Sequence, residues 1–190
     1  MSEGYAPDVG KIYSEIDEKL GAWMERQHLF FVATAPLAED GHINVSPKGD
    51  LRWFRILGSH EVAYLDFVGS GAETIAHARE NGRIVVMFCA FDGPPRIVRL
   101  HGSASVTLPD DPAFDELAAR FDPPEHAVRS VIRVEVDRIA DSCGYSVPLM
   151  RFDGKRSQYD DWVDKKARDG GFDEYVAEKN AESIDGLPAI

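Results

Sequence analysis

Between residues 29 and 136 the chain runs through a series of short segments rich in β-branched and aromatic residues, and this rhythm constrains the fold more than any other feature. The first, Leu29 to Ala35, is closed by Pro36 and by the acidic turn Glu39-Asp40-Gly41. His42 to Lys48 returns as a second strand and ends at Pro47-Lys48-Gly49, so the two make a hairpin. Glu61 to Phe67, Arg83 to Phe88 and Arg96 to Val106 follow. In the sixth, Ser130 to Val136, Ile132, Val134 and Val136 share one face with Arg133 and Glu135 on the other, the alternation of a half-buried strand. Only two short helical segments, Ala72 to Glu80 and Pro112 to Phe121, interrupt the strands. That density favours a small β-barrel over a doubly wound α/β sheet, and the expected class is mainly β (α+β).

Flanking segments complete the plan. Ile12, Ile16, Leu20 and Trp23 recur at helical spacing, which predicts one amphipathic helix from about Lys11 to Arg26. From about Arg151 the composition shifts to Asp, Lys, Arg and Gly, so the chain divides into a barrel over residues 1–150 and an appendage over 151–190, with two short helices around Gly170-Gly171. Tyr159, Trp162, Phe172 and Tyr175 need apolar partners, which places the appendage on the barrel or on a partner subunit.

Charge narrows the partners. With 21 basic against 33 acidic side chains the net charge is −12, which repels nucleic-acid phosphates and anionic lipid, and no basic patch overrides it. No nucleic-acid or membrane partner is expected. No apolar run reaches the roughly 20 residues of a spanning helix, and Met1 to Lys11 lacks the basic and apolar regions of a signal peptide, so the expected compartment is the cytoplasm. Cys89 and Cys143 are too far apart for a CxxC pattern and read as plain buried thiols.

Three segments carry candidate chemistry. In Asp66 to Ile75 a strand runs into Gly69-Ser70-Gly71 and then a helix; Ser70 and Glu73 have capping-box spacing, and Asn81-Gly82 closes the far end. Free N–H groups and the helix dipole would suit a phosphate there. The competing reading is a simple helix cap, with the Glu73 carboxylate repelling a phosphate. Asn44 to Gly49 offers a fixed proline, a basic Lys48 and a permissive glycine; an exposed lysine at a strand end is the plain alternative. Phe91 to Arg99 delivers Arg96 and Arg99 onto a long strand, for an anionic ligand or for ion pairs. His28, His42, His60, His77, His101 and His126 sit singly, without metal-site spacing. GxSxG, P-loop and GxGxxG patterns are absent from the sequence.

Taken in order, Asn44 to Gly49, Leu65-Asp66 with Gly69-Ser70-Gly71 and Glu73-Thr74, Asn81-Gly82-Arg83, Gly93-Pro94-Pro95-Arg96 and Cys143 to Pro148 resemble the pyridoxamine 5'-phosphate oxidase-related family of flavin-binding split barrels. The resemblance spans about residues 11–150. It implies a six-stranded split barrel, a homodimer, and flavin mononucleotide (FMN) at the subunit interface. Ser46, Pro47, Lys48 and Gly49 would run along the flavin ring; Ser70, Gly71 and Thr74 would hold the phosphate; Arg96 or Arg99 would add a contact or reach across the dimer. The basic C-terminal substrate motif of the authentic oxidases has no counterpart in Ser183 to Ile190, so vitamin B6 oxidation is not implied. The expectation is an FMN-dependent oxidoreductase acting on a small molecule, with a deazaflavin reductase or a flavin carrier without turnover as alternatives. Since the cofactor carries the redox chemistry, no protein acid or base is required.

Overall fold

The computed structural model describes residues 10–121 and 128–190. The leader reading of residues 1–11 falls mostly on 1–9, and His126 on 122–127, outside the described residues. The chain forms β1 (Ile12–Tyr13), α1 (Glu18–Glu25), β2 (Phe30–Thr34), β3 (Asn44–Lys48), a 3-10 turn (Leu51–Trp53), β4 (Phe54–Gly58), β5 (Glu61–Phe67), α2 (Glu73–Glu80), β6 (Arg83–Cys89), β7 (Ile97–Thr107), α3 (Phe114–Ala118), β8 (Val128–Ser142), α4 (Gln158–Asp169) and α5 (Phe172–Lys179).

One antiparallel sheet has the order β3-β2-β6-β7-β8-β5-β4, with β1 paired to β8. Its end strands β3 and β4 do not join, so the fold is mainly β and split, as expected, but among the described residues the sheet has eight strands and not six. One addition is β4, whose Phe54 is buried against Phe30 and Phe88. The other is β1, where a long helix is expected. Asp17 explains the later helix start: its Oδ1 accepts the Leu20 N–H at 2.7 Å, capping α1 there, while Ile12 and Tyr13 pair with Ala140 and Ile139.

The last strand is also longer than its alternation suggests. At Gly102 the β7–β8 register shifts, and a Cβ there would collide with the Glu135 carbonyl, so the bare backbone lets the strands approach closely. Beyond this irregularity β8 continues to Ser142 through Asp137 and Arg138, both exposed, where polar residues hide the strand from a periodicity argument. The helix expected over Pro112 to Phe121 is limited to Phe114–Ala118.

Inward-facing Phe30, Val32, Val86, Phe88, Val98, Leu100, Ile132 and Val134 make the main core, closed by Leu20 and Met24 of α1 and by Ile75 and Ala76 of α2. The C-terminal segment joins this core through Ala189, which is fully buried. Tyr159 packs on Phe67, and Trp162 on Tyr159, Phe172 and Tyr175, so the tail aromatics find partners in one cluster. No described helix is long and apolar enough to cross a membrane.

Candidate functional site

The β2–β3 hairpin and the β5–α2 connection, two of the three segments singled out above, meet at one end of the split sheet. Two linkages join them. Asn44 Nδ2 donates to Thr74 Oγ1 at 3.0 Å and to Thr34 Oγ1 at 3.1 Å, while Ser46 Oγ donates to Asn44 Oδ1 at 2.9 Å. Thr34 continues the network to His77 Nδ1 at 3.0 Å. His77 is buried, and its Nε2 has no partner among the described residues. Burial pushes its pKa below the ordinary histidine value.

The second linkage is ionic. Lys48 Nζ lies 3.0 Å from Asp66 Oδ1, and Arg129 grips Asp66 Oδ2 through Nε at 2.9 Å and Nη2 at 2.6 Å. Arg129 then donates from Nη1 to the Gly71 carbonyl at 2.7 Å. Burial alone would push the Asp66 carboxyl up, but the two cations outweigh it and hold the group below the usual carboxylate range. Two cations on one buried carboxylate exceed it by one positive charge, and Arg129 carries that charge to the Gly69–Gly71 turn, where the Glu73 carboxylate offsets it.

At that turn the structure departs from the expected capping box. Ala72, not Ser70, is the N-cap of α2, and no side chain caps it. Ser70 is exposed, and the N–H groups of Gly69, Ser70, Gly71 and Ala72 donate to nothing among the described residues outside the helix ladder. The Glu73 carboxylate folds back over Gly71, where an added Cβ would fall against it. Unpaired donors beside Arg129 form a donor set that fits a phosphate monoester, opposed by the Glu73 carboxylate.

Arg96 and Arg99 lie elsewhere. Arg96 donates to the Tyr13 hydroxyl, pairs with Asp141 at 3.3 Å and stacks over the Trp23 ring at 4.9 Å. It lines a cavity of about 680 Å³ between α1 and the β6–β7 loop. Burial first, then Asp141, raise the Tyr13 pKa to about 12, despite Arg96. The Gly93–Arg96 and Cys143–Pro148 motifs meet here: a Cβ on Gly144 would stand 2.8 Å from the Arg96 nitrogen, so only glycine permits this approach. Cys143 is exposed, unlike the buried thiol expected, whereas Cys89 is buried. Arg99 is on the outer face of β7 and reaches Ser142 Oγ at 2.9 Å. Pro47, Phe31, Met87 and Arg99 follow one another in register across β3, β2, β6 and β7, so two strands separate Arg99 from the β3 edge.

Arg129 is the residue that sequence reasoning missed. It stands one residue before the expected start of the sixth strand, in no motif, and its place opposite Asp66 follows from the β5–β8 register, in which Asp66 pairs with Ser130. No described group of His, Cys, Asp and Glu could hold a metal ion.

Comparison with known proteins places the chain in a family. The family model for pyridoxamine 5'-phosphate oxidase covers residues 16–143, well over half of the chain, and the chain belongs to that family. A curated relative, the pyridoxamine 5'-phosphate oxidase family protein ustO of Aspergillus flavus, is 38% identical over 192 residues, spanning 94% of this chain and 77% of that protein. Among solved structures, a HupZ variant from Group A Streptococcus superposes with a TM-score of 0.50 at 21% identity, covering 66% of this chain and 98% of that one. An FMN-binding protein from Syntrophomonas wolfei overlaps less, with a TM-score of 0.46 at 18% identity over 64% of this chain and 78% of that one.

Proposed function

We propose that this chain is a flavin-binding member of its family, taking FMN with the phosphate at the Gly69–Thr74 turn and the ring along Ser46–Gly49. The observation that carries the reading is the Lys48–Asp66–Arg129–Gly71 chain, which concentrates positive charge beside unpaired turn N–H groups in a protein of net charge −12. Strand β3 is an end strand of the sheet, so among the described residues one of its edges is unpaired, as the polar edge of a ring would require. Bound there, the flavin would supply hydride or electron transfer to or from a small molecule. The chain's own residues bind and orient: Lys48 and Arg129 neutralise the anion, and Asn44 fixes the Thr74 hydroxyl.

A homodimer belongs to the same reading. Phe31, Ala33, Val85 and Met87 alternate with core residues on β2 and β6 and so face outward, next to exposed Val45. A second copy laid on this apolar face would cover it. Sedimentation at micromolar concentration is expected to give twice the chain mass, and a monomer would remove the interface from the proposal.

The test is an absorption spectrum of the purified protein after FMN is added and the excess removed by gel filtration. Flavin bands near one per chain are expected, with weaker retention by Lys48→Ala. A wild-type protein that retains none would overturn FMN as the cofactor.

A further inference from the structure

We propose that Tyr159 and Asn180, both in the C-terminal tail, are positioning residues that turn the Gly69–Ala72 peptides into an anion seat; the inference rests on the reading of that turn as the phosphate site. Three carbonyls of the turn are held by side chains. Tyr159 Oη donates to the Val68 carbonyl at 3.0 Å, Asn180 Nδ2 to the Gly69 carbonyl at 2.8 Å, and Arg129 Nη1 to the Gly71 carbonyl at 2.7 Å. In a trans peptide the C=O of one residue and the N–H of the next point in opposite directions. Fixing the Val68, Gly69 and Gly71 carbonyls toward these side chains therefore directs the N–H groups of Gly69, Ser70 and Ala72 away from them. Those are donors without a partner among the described residues.

Packing commits both tail residues to these contacts. Asn180 is fully buried, and its Oδ1 has no partner among the described residues. Only its NH2 group can serve the Gly69 carbonyl, so the oxygen is left over. Tyr159 packs its ring edge-on to Phe67, with centroids 5.9 Å apart, which aims the hydroxyl at Val68. Burial first, then Asp66, hold this phenol well above its usual range, so it stays a hydrogen-bond donor.

The tail is held down on both sides of the turn's helix. Arg79 of α2 donates to the Ala189 carbonyl at 2.6 Å, and Asp185 Oδ2 accepts the His42 N–H at 2.8 Å from the β2–β3 hairpin. Residues 159–189 thus form a strap over α2 whose contribution to the site is orientation, with no ligand contact of its own required.

Wild type, Tyr159→Phe and Asn180→Ala should be titrated in parallel with FMN and with riboflavin, which lacks the phosphate. Loss of one such hydrogen bond is expected to weaken FMN by about threefold to tenfold and leave riboflavin unchanged. Affinities for both ligands falling together, or FMN affinity holding in both variants, would overturn the inference. Tyr159→Phe keeps the ring packed, so it remains informative if Asn180→Ala does not fold. In a second arm, inorganic phosphate is added to the flavin-free wild type while backbone amides are followed by NMR. The Gly69, Ser70 and Ala72 amides are expected to shift, and less so in Tyr159→Phe. If they do not respond in the wild type, the inference falls even where FMN binds. If they respond in a protein that retains no FMN, the inference stands and the flavin reading falls.

Discussion

Two arginine–carboxylate pairs, at opposite ends of this barrel, differ in what burial makes of them. Arg129 and Asp66 have side chains 5% and 0% exposed, meet at 2.6 Å, and share the carboxylate with Lys48. Arg96 and Asp141 are 23% and 9% exposed, meet at 3.3 Å, and share the carboxylate with the Tyr13 hydroxyl. In the first, every hydrogen bond runs inward and ties β3, β5, β8 and the turn together. In the second, the guanidinium keeps one face on the Trp23 ring and another on a cavity. The same ion pair is a structural clamp where water is excluded, and part of an open wall where it is not.

Removing each acid gives the sharpest contrast. Asp66→Ala leaves two cations without their buried partner and should cost about 3–5 kcal/mol of stability. Asp141→Ala, which removes the acceptor of the Lys11 N–H, the Tyr13 hydroxyl and Arg96 in the more open pair, should cost less, about 1–3 kcal/mol. Urea unfolding of both variants measures the difference, and equal losses would erase the distinction drawn between the two regions.

The two ends also face opposite limits of pH. The Asp66 pKa is held below its unfolded value, so its contribution is present above a pH of about 4 and lost as pH falls through the lower folded value. Tyr13 behaves the other way: raised to about 12, it favours the fold while the phenol is protonated. Stability therefore declines as pH rises from about 10, where the unfolded phenol ionises, to about 12. Tyr64 and Tyr159 are raised by burial too, so Tyr13→Phe should make this alkaline decline shallower without abolishing it. Thermal midpoints across pH would show whether the two limbs separate in this way.

How far each region could be read in the sequence follows from the range of its interactions. The hairpin, β5, α2 and β6 were legible because their signals are local: alternation, a Gly-Ser-Gly turn, and Asn81-Gly82 at the helix end. Lys48 and Ser70 were legible as candidates for the same reason, and Thr74 through the family resemblance. Arg129 was not, because what makes it a site residue is Asp66, 63 positions away, placed opposite by strand register. Tyr159 and Asn180 were hidden likewise: the tail's aromatics announce that it must pack, not that it packs on the turn. β1 is two residues long and β4 follows a 3-10 turn, so neither offers enough alternation to register. Arg96 and Arg99 looked like a pair by spacing, yet Arg96 precedes the strand and enters the cavity while Arg99 rides its outer face.

Which end takes the anion can be decided by conservative substitution. Arg129→Lys keeps the charge but loses the fork that holds both Asp66 and the Gly71 carbonyl, and should weaken FMN by about tenfold, the equivalent of one charged hydrogen bond. Arg96→Lys should change it by less than about twofold, since Arg96 does not touch the turn. Isothermal titration with both variants would show the order, and the reverse order would move the phosphate to the Arg96 cavity.

The smallest expected effect carries the most specific signature. Glu73 opens α2, and its carboxylate folds over Gly71, against the proposed anion seat. A negative charge in the first turn of a helix stabilises it by about 0.3–1 kcal/mol, and the same carboxylate repels an incoming phosphate. Glu73→Gln should therefore lower the thermal stability of the flavin-free protein slightly while tightening FMN by about threefold, with riboflavin affinity unmoved. Stability and affinity moving in opposite directions is a result that a general loosening of the turn would not produce, because loosening weakens both. If Glu73→Gln weakens FMN, the carboxylate is holding the turn in its binding shape, and the charge at this end must be assigned to the fold and not to the ligand.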